Sequence, residues 1–594
     1  MKILLVAVDA KFIHTNLAVH SLKAYSDKYK DYIHIAQYSI NHTKEDILRG
    51  IYLEKADIVA FSCYVWNIDM IAGIVESLKK VQPQVKIWFG GPEASYNPRD
   101  YLIKYKELDG IVIGEGEQTF YELIECYLGI GKELQDIHGI VFKESARVSL
   151  VTDNNVNTIM ETAPRVFVSL DSIPFAYPDI ESHRNKIIYY ESSRGCPYTC
   201  SYCLSSALRG VRHRNIDLVK SELKIFLDHK VAQVKFVDRT FNCNKEHAME
   251  IWSFIRDHDN GITNFHFEIT ADLLSDKELD IFASLRPGLI QLEIGVQTTN
   301  PDTMKAIIRR VDFNKLSENV KNIRKMHNIH QHLDLIAGLP LEDYSSFERS
   351  FRDVYQLKPD QLQLGFLKVL KGSIIEKECK NYGIVYNSEP PYEILYTNHI
   401  TYNEIIELKG VCDMVEVYYN SGQFAYSMEF LEHYFDTPMS LYASLYRYYD
   451  ENGLYRLAHS RMRRFEILLD FFISMIAIND KASDKENNDK MLIYDSKEEL
   501  LVFKEILLFD ICLREALRNR PDYVGKPISY KEHRLICDKY KVSKTRTHLE
   551  SFYYDVVASA KLGRAVKSNS IIVFDYDNRD PITNSAGIHI LTDI

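Results

Sequence analysis

The 594-residue sequence predicts an α/β protein built from an N-terminal parallel sheet, a partial (β/α)6 barrel and a mainly helical C-terminal domain. Three observations support this fold class. Short apolar runs alternate with amphipathic segments over the first 130 residues, and the same alternation resumes six times between residues 187 and 367. After about Gly372, long helical patterns rich in Tyr and Phe replace it.

The composition limits the classes of protein that the chain can belong to. With 46% hydrophobic and 26% charged residues it is typical of a globular protein, and its length predicts about three to five domains. No run of 18 apolar residues and no signal-peptide pattern are found, so we expect a cytoplasmic protein without a membrane span. Ten Cys in such a chain do not indicate a disulfide framework. The net charge of −11 argues against a globally basic surface for nucleic acid.

The first domain should be a parallel sheet covered by helices. The expected strands are Ile3–Val8, Tyr32–Tyr38, Ile58–Ser62, Lys86–Phe89 and Gly110–Ile113. Most of them end in polar or Gly-rich turns. Because ligands bind outside the carboxyl ends of the strands in open α/β sheets, these turns indicate a binding domain.

A hairpin pattern from Gly139 to Leu150 and a Pro-containing linker from Val151 to Ile180 should lead into the second domain. The expected barrel strands are Ile187–Glu191, Gln233–Val237, Asn264–Glu268, Leu289–Ile294, His332–Ile336 and Gln361–Leu367. Six successive βα units predict a partial or complete barrel, whose chemistry should lie on the loops that follow the strands.

The last third of the chain predicts helices, with one loop and one strand. The expected helices are Tyr402–Val417, Phe424–Phe435, Leu441–Tyr449 and Arg461–Ile478. Asn479 to Lys490 predicts a solvated loop, and Ile571–Tyr576 predicts a strand. Between Arg514 and Lys567 stand 13 Lys/Arg and 6 Asp/Glu, so nucleic-acid binding is an alternative, although a solvated helical face is favoured.

Three cysteines, Cys196, Cys200 and Cys203, fall within eight residues directly after the first barrel strand. Structural zinc usually takes four ligands, and this triplet provides three. An incomplete thiolate set suits a cubane iron–sulfur cluster with one iron left open. The alternatives are three packing cysteines, or zinc completed by His213 or Cys243.

This segment resembles the radical S-adenosylmethionine (SAM) superfamily, whose motif Cys-x-x-x-Cys-x-aromatic-Cys is matched by Cys196, Cys200, Tyr202 and Cys203. The resemblance implies a 4Fe-4S cluster held by the three Cys, with the SAM amino and carboxylate groups on the fourth iron and Tyr202 as a cofactor contact. An electron from the reduced cluster would then cleave SAM to a 5′-deoxyadenosyl radical. It also implies a reductant such as flavodoxin or ferredoxin.

The ends of the later strands provide further candidates by the same resemblance. Asp238 follows the second strand, where the family binds the SAM amino group, although Asp238 replaces the more common Gly-Gly-Glu. Glu268 ends the third strand, and Glu293 and Gln297 end the fourth, where polar groups contact the ribose and methionine portions. Gly338, after the fifth, resembles the adenine-binding segment. Asp238, Glu268 and Glu293 are therefore the candidate catalytic residues, and a structural salt bridge is the alternative for Glu268 or Glu293.

The N-terminal domain resembles the cobalamin-binding domain that precedes the barrel in one radical SAM subgroup. The matching features are the loop after the first strand, Tyr64, Gly90-Gly91-Pro92-Glu93 and Gly114-Glu115-Gly116-Glu117. The resemblance implies cobalamin contacts at Asn16, Tyr64, Gly90, Gly91, Gly114, Glu115 and Gly116. The alternative is a degenerate domain that binds nothing.

One feature departs from the usual cobalamin-binding motif Asp-x-His-x-x-Gly, whose His ligates cobalt from below. Asp9 and His14 stand five residues apart, and no Gly occupies the required position. We therefore expect cobalamin to bind without this His ligand.

The expected domains are a flavodoxin/Rossmann-like cobalamin-binding domain (1–135), a hairpin and linker (136–185), a radical SAM barrel (186–372) and a mainly helical domain (373–594). The last, with Tyr418 to Phe424 and Phe574 to Tyr576, resembles an extension of unknown function. The implied reaction is hydrogen abstraction from an unactivated carbon of an unknown substrate, followed by methyl transfer. The alternatives are a rearrangement, cyclisation or redox step with the same cofactors, a tRNA-modifying factor, or a scaffold without turnover.

Overall fold

A computed structural model of the chain describes residues 1–144, 158–207, 210–483, 496–517, 520–540, 543 and 546–591. Within these residues, no helix is both long and apolar enough to cross a membrane.

The N-terminal domain is a seven-stranded sheet covered by helices on both faces. Its elements are β1 (Ile3–Asp9), α1 (Leu17–Tyr25), β2 (Ile33–Ser39), α2 (Lys44–Glu54), β3 (Ile58–Ser62), α3 (Ile68–Val81), β4 (Lys86–Gly90), α4 (Pro92–Ser95), α5 (Pro98–Lys104), β5 (Gly110–Val112), α6 (Glu117–Tyr127), β6 (Ile140–Glu144) and β7 (Thr158–Glu161). The strand order is β2-β1-β3-β4-β5-β6-β7, in which β1 to β5 run parallel. The five strands that the sequence predicts are present, each within one residue at either end.

The central strand β1 is buried along its whole length because apolar clusters form on both faces of the sheet. This double burial explains why its sequence is a continuous apolar run without alternation. Helix α3 packs on one of these faces through residues at helical spacing: Ile68, Ile71, Ile74, Val75 and Leu78.

The hairpin prediction for Gly139 to Leu150 was wrong in its second strand. Strand β6 begins at Ile140, but its partner β7 lies at Thr158–Glu161, inside the segment that the sequence assigns to the linker; residues 145–157 lie outside the described residues. Antiparallel pairing of Ile111 with Val141 adds both strands to the first sheet. The position of β6 and β7 depends on pairing with β5, and the local composition of the two segments does not encode that pairing.

The second domain is a six-stranded parallel sheet, open on one side, with order β8-β11-β12-β13-β14-β15. Its elements are β8 (Ile187–Tyr190), β9 (Ser193–Cys196), β10 (Gly210–His213), α7 (Ile216–Asp228), β11 (Gln233–Phe236), α8 (Lys245–Asp257), β12 (Asn264–Ile269), α9 (Asp276–Ala283), β13 (Ile290–Gln297), α10 (Pro301–Ala306), α11 (Phe313–Met326), β14 (His330–Ala337), α12 (Tyr344–Tyr355) and β15 (Gln361–Phe366). Buried and half-buried residues alternate along β13, so one face meets the helices and the other lines the barrel interior.

The six predicted barrel strands are present, with two differences that matter for the site. An antiparallel hairpin of β9 and β10, which the sequence does not predict, follows β8. Strand β13 extends to Gln297, so Glu293 lies in the middle of the strand and not at its carboxyl end.

The C-terminal region contains α13 (Ile374–Tyr382), β16 (Val385–Tyr386), β17 (Ile394–Tyr396), α14 (Tyr402–Val415), α15 (Ala425–Glu432), α16 (Pro438–Glu451), α17 (Arg461–Ser483), α18 (Ser496–Arg514), α19 (Tyr530–Tyr540), β18 (Thr547–Tyr554), α20 (Val556–Leu562), β19 (Lys567–Arg579) and β20 (Ala586–Leu591). Strands β18, β19 and β20 form an antiparallel sheet, of which the sequence predicts only the middle strand. One continuous apolar core joins this region to the barrel.

The loop prediction for Asn479 to Lys490 was wrong for its first five residues, because α17 continues through Ser483; the rest lies outside the described residues. Since no Gly or Pro stands between Asn479 and Ser483, nothing local ends the helix there.

The two open edges of the barrel are each paired by another part of the chain. At one edge, the segment after β1 pairs with β8: Ile187 N donates to Ile13 O at 2.7 Å, and Thr15 N donates to Ile187 O at 3.2 Å. At the other edge, the Asn420 amide accepts from Leu362 N and donates to Leu362 O, both at 2.9 Å. Asn420 ends a π-helical turn that follows α14.

Candidate active site

The three cysteines lie at the start of the segment that connects the two strands of the β9/β10 hairpin: Cys196 ends β9, and Cys200 and Cys203 follow it. Cys196 is opposite Gly210, and Arg194 is opposite Arg212. Gly195 has a φ of +103°, and a Cβ there would collide with the carbonyl oxygen of Gly210. The hairpin that presents Cys196 therefore requires glycine at position 195.

The thiols differ in their exposure and neighbours. Cys200 is buried, Cys196 and Cys203 are half-buried, and all three are free of disulfides. Cys196 Sγ lies 3.5 Å from Thr240 Oγ1, in the loop that follows β11. Three thiols on one loop, none of them in a disulfide and two of them half-buried, match the donor set that a cluster with one open iron requires.

Arg309 is a residue of this site that the sequence does not indicate. Its Nη1 donates to Cys200 Sγ at 3.8 Å and to Tyr202 Oη at 3.4 Å, and its Nη2 donates to Gly295 O. Burial raises the pKa of the Cys200 thiol, and the guanidinium opposes that shift. In the sequence, Arg309 is only a basic residue that follows a helix. Such residues are too common to indicate a contact with a cluster thiol.

Asp238 anchors the start of the cysteine loop. Its carboxylate accepts from Ser192 Oγ at 2.7 Å, Ser193 Oγ at 2.6 Å and Ser192 N at 3.0 Å. Burial raises the pKa of Asp238, and the hydrogen bonds from the two serines oppose that rise. Both oxygens are occupied, so this geometry favours positioning of the loop over a direct contact with SAM.

Glu268 and Glu293 have opposite environments inside the barrel. Glu293 Oε2 lies 2.9 Å from Lys235 Nζ and 3.0 Å from His266 Nε2. Burial alone would raise the pKa of Glu293, but these two groups lower it well below its usual value. No ion pair to Glu268 is found in the described part of the chain, and burial raises its pKa to about 7. Glu293 therefore takes the salt-bridge role that the sequence left as the alternative.

The two remaining barrel candidates lie at strand ends with left-handed backbone. Gln297, the last residue of β13, has a φ of +74°, and Gly338, directly after β14, has a φ of +82°. A Cβ at Gly338 would stand 3.0 Å from Ile394, so both conformation and space favour glycine there.

In the N-terminal domain, the side chain of Asn16 is held by hydrogen bonds within the domain, whereas that of Tyr64 stacks on a partly exposed ring. Asn16 caps α1 by accepting from Val19 N at 3.3 Å, and its amide donates to Asp9 Oδ1 at 3.0 Å. Tyr64, after β3, stacks on Trp66 with ring centroids 4.3 Å apart. Trp66 is 46% exposed, so this pair offers a flat aromatic surface at the carboxyl end of the sheet.

The glycine turns after β4 and β5 differ in how closely the rest of the protein packs against them. Gly91 has a φ of +102°, and a Cβ there would lie 2.6 Å from Cys63 O, so the turn packs tightly on β3. A Cβ at Gly90 would contact only the side chain of Val112, and a Cβ at Gly116 would contact the side chains of Leu22 and Val112. Gly114 has a φ of +72° and no atom within 4 Å of its Cβ position, and a cavity of about 270 Å³ opens beside it. The Gly114 turn is therefore the backbone that a ligand can approach.

Glu115 contacts the cysteine hairpin. Its Oε2 lies 3.0 Å from Arg194 Nη1, and its Oε1 accepts from Arg212 Nη2. Glu117 adds a contact of 2.5 Å to Arg194 Nη2. The turn after β5 and the loop that carries the cysteines are thus in direct contact.

His14 lies in the segment that pairs with β8. Its Nδ1 is 3.3 Å from Tyr189 Oη, and burial with the nearby Lys11 and Lys235 charges lowers its pKa. The ring faces the barrel strand, in surroundings that favour its neutral form.

Comparison with protein families matches three parts of the chain. Residues 3–124 match the B12 binding domain, 190–354 match the radical SAM superfamily, and 380–577 match a protein family of unknown function, DUF4080.

Two curated relatives illustrate the similarity. An uncharacterized methyltransferase of Pyrococcus horikoshii is 25% identical over 331 residues, which are 54% of this chain and 69% of that protein. The cobalamin-dependent radical SAM methyltransferase TokK of Streptomyces tokunonensis is 25% identical over 319 residues, which are 50% of this chain but 44% of that protein. The chain thus spans less than half the length of TokK.

Solved structures share the fold. OxsB, a cobalamin-dependent SAM radical enzyme with aqua-cobalamin bound, aligns with a TM-score of 0.58 at 14% identity over 86% of this chain and 80% of that one. TsrM of Kitasatospora setae, with cobalamin and a [4Fe-4S] cluster bound, aligns with a TM-score of 0.51 at 14% identity over 66% of this chain and 82% of that one. With the thiol loop and the open glycine turn in place, the chain combines a B12 binding domain, a radical SAM domain and a C-terminal domain of unknown function, and in these parts it is similar to cobalamin-dependent radical SAM enzymes.

Proposed function

We propose that the protein transfers a methyl group to an unactivated carbon, using a 4Fe-4S cluster, SAM and cobalamin. The observation that carries the proposal is the contact of Arg194 with Glu115 and Glu117. Arg194 stands two residues before Cys196, and the glutamates belong to the turn after β5. The loops that would hold the two metal cofactors are therefore neighbours, as a two-cofactor reaction on one substrate needs.

Cys196, Cys200 and Cys203 would each bind one iron of the cluster through a thiolate. Arg309 donates toward Cys200 Sγ, which favours the charged form of that sulfur. When bound, the reduced cluster supplies the electron that cleaves SAM to a 5′-deoxyadenosyl radical, and methylcobalamin supplies the methyl group.

Two barrel residues are the best candidates for contacts with SAM. Glu268 lies near the carboxyl end of β12 without an ion-pair partner among the described residues, and Gln297 ends β13. A neutral Glu268 carboxyl can donate a hydrogen bond and an ionised one can only accept, so its pKa of about 7 lets it do either near neutral pH. Tyr202 and Gly338 complete the proposed set, while Asp238 positions the cysteine loop.

In the N-terminal domain, Gly114 and the Tyr64–Trp66 surface are the features that best fit a flat macrocycle. Gly90, Gly91 and Gly116 would shape the same rim. Asn16 and Glu115 have polar groups committed to Asp9 and to the two arginines, so we propose a supporting role for them.

The curated relatives support methyl transfer, and one observation keeps a second outcome open. An anaerobic magnesium-protoporphyrin IX monomethyl ester cyclase of Synechocystis is 25% identical over 297 residues, which are 48% of this chain and 56% of that protein. A cyclisation with the same cofactors would add no carbon to the substrate. The mass of the product therefore separates the two reactions.

The experiment uses protein purified anaerobically and supplied with iron, sulfide, hydroxocobalamin, a reductant and SAM carrying a trideuterated methyl group. A small-molecule cell fraction serves as the substrate pool. We expect 5′-deoxyadenosine together with a product that gains the labelled methyl group with all three of its deuterium atoms, because transfer of an intact methyl group breaks none of its C–D bonds. The Cys200→Ala protein should give neither. A product of altered structure with no label would replace methyl transfer by a rearrangement or cyclisation.

The described residues give the nucleic-acid alternative little support. Several cations of the Arg514–Lys567 segment are bound within the protein: Arg514 to Gly422 O and Thr583 O, Arg520 to Glu550, Arg546 to Asp577 and Lys567 to Glu498. Cations that already have partners within the protein are less available for contacts with a phosphate backbone. A reductant such as flavodoxin or ferredoxin and the domain boundaries 1–135, 136–185, 186–372 and 373–594 complete the proposal.

A further inference from the structure

The contact between the turn after β5 and the cysteine hairpin is built from two arginines and three carboxylates. Arg194 binds Glu191 Oε2 at 2.8 Å, Glu115 Oε2 at 3.0 Å and Glu117 Oε1 at 2.5 Å. Arg212, opposite Arg194 in the hairpin, binds Glu115 from the other side. We call these five residues the clamp.

The clamp is shielded from solvent, unlike an ordinary surface ion pair. The side chains of Arg194, Glu115 and Glu117 are 17%, 14% and 6% exposed. Ser21 Oγ also donates to Glu117 Oε1 at 3.2 Å, which fixes the second carboxylate. Ion pairs with this burial hold a defined geometry because every donor and acceptor needs its partner.

The same turn borders the space that a ligand can enter. Gly114, Glu115 and Glu117 line the 270 Å³ cavity, and Gly114 presents open backbone. A group that seats at this turn must contact, or sit directly beside, the carboxylates that hold the hairpin of Cys196. An occupant of the turn therefore acts on the position of the cysteine loop through one layer of side chains.

We infer that Arg194 is a positioning residue that couples cobalamin binding at the turn after β5 to the geometry of the cluster loop. The inference rests on the proposed function, because it needs both cofactors to bind. Coupling through the clamp is reciprocal: if cobalamin strengthens SAM binding by some factor, SAM strengthens cobalamin binding by the same factor.

The clamp can be broken without removing the other attachment of the loop. Ser192 and Ser193 remain bound to Asp238 on the barrel side. Arg194→Lys keeps a positive charge but loses the forked geometry that reaches three carboxylates. Glu117→Gln weakens the clamp from the other domain. Arg286→Met is the matched control, because it breaks a half-buried barrel ion pair, Arg286 with Asp259, outside the clamp.

The experiment compares reconstituted wild-type protein with the three variants. The dissociation constant of SAM is measured with and without hydroxocobalamin, and that of hydroxocobalamin with and without SAM. In parallel, the electron paramagnetic resonance spectrum of the reduced cluster is recorded with and without hydroxocobalamin. Iron and corrinoid contents show that each variant holds its cofactors.

In the wild-type protein and in Arg286→Met, we expect a coupling factor on the order of tenfold and a cluster spectrum that shifts when cobalamin binds. In Arg194→Lys and Glu117→Gln, the factor should fall toward one and the cluster spectrum should stop responding, while both cofactors still bind.

The inference and the proposed function fail in distinguishable ways. A wild-type protein that binds both cofactors with no coupling overturns the inference and leaves the function standing. Clamp variants that keep wild-type coupling and spectral response overturn it as well. A wild-type protein that binds no corrinoid, or builds no cluster, overturns the proposed function together with the inference.

Discussion

The part of the chain that the structure describes contains two clusters of metal-ligand residue types, and they differ in burial and in the ion pairs around them. In the loop of Cys196, Cys200 and Cys203, two of the three thiols are half-buried, and the hairpin at its base requires glycine at position 195. In the C-terminal domain, Cys512, His548 and Glu550 bring their ligand atoms within 4.8 Å of one another.

The second cluster is closed by its surroundings. Arg520 donates to both oxygens of Glu550, at 2.7 and 2.8 Å, and His548 Nε2 lies 2.8 Å from Oε1. Cys512 is fully buried, and burial raises the pKa of its thiol well above the usual value. Residue types alone therefore do not make a metal site; free lone pairs and an accessible thiolate are also needed.

The largest expected effect tests the open cluster. Cys200→Ala should remove nearly all cluster iron and the associated visible absorbance, because each thiolate holds one iron of the cubane. The matched variant Cys512→Ala should keep its iron. Iron analysis and absorbance of anaerobically reconstituted proteins make the comparison. Full iron loading in Cys200→Ala would refute the assignment of the cluster.

The next effect tests the closed cluster. Arg520→Met leaves Glu550, 1% exposed, without its guanidinium partner, and should cost about 3–5 kcal/mol of folding free energy. Arg546→Met, which breaks an exposed pair with Asp577, should cost less than about 1 kcal/mol. Urea unfolding followed by circular dichroism compares them.

The pH dependence gives the sign of the Glu550 contribution. Arg520 and His548 lower the pKa of Glu550 despite its burial, so this stabilisation is present above about pH 4.5. It should disappear as pH falls through the folded-state value. Equal unfolding midpoints for Arg520→Met and Arg546→Met at pH 7 would show that the cluster is not closed by this pair.

A smaller effect tests a similar contrast inside the barrel, where Glu293 has ion-pair partners and Glu268 has none among the described residues. Burial raises the pKa of Glu268 from 4.5 to about 7, so its stabilising contribution is present below pH 4.5 and is lost as pH rises through about 7. The change amounts to roughly 3 kcal/mol. Glu268→Gln should remove this contribution to the pH dependence of stability. The measurement is the slope of the melting temperature against pH between pH 5 and pH 8. An unchanged slope would show that Glu268 has a partner.

The smallest expected effect concerns His14. Its Nδ1 faces Tyr189, and its spacing from Asp9 does not fit the motif of a cobalt ligand. His14→Ala should leave the visible spectrum of bound cobalamin unchanged. Gly114→Trp, which would fill the open turn, is the positive control and should weaken cobalamin binding. A clear spectral shift in His14→Ala would make this histidine a ligand.

Much of the fold could be predicted because its signals are local. Apolar runs bounded by polar or glycine turns indicate the parallel strands of both large sheets, and the spacing of Cys196, Cys200 and Cys203 indicates the cluster loop. The β18 and β20 strands were missed, since their sheet depends on pairing with β19 from distant positions.

The site was predicted less completely than the fold. The sequence indicates Asp238, Glu293 and Glu115 because they are polar residues at or near strand ends, but their partners Ser193, Lys235 and Arg194 come from other elements. Which carboxylate is satisfied and which stays free depends on these long-range contacts. Sequence position cannot supply that information, and for the same reason Arg309 was missed.

The pairing of both barrel edges has a consequence for how the chain folds. A parallel sheet with unpaired edge strands invites association with other chains. Here one edge is covered by Ile13 and Thr15, which are made before the barrel, and the other by Asn420, which is made after it. During synthesis, the segment that pairs with β8 is made before β8, whereas the residue that pairs with β15 is made after β15. A chain truncated before Asn420 should therefore aggregate through β15. In the full chain, the domain of unknown function pairs with the backbone of this last barrel strand and so protects it from association with other chains.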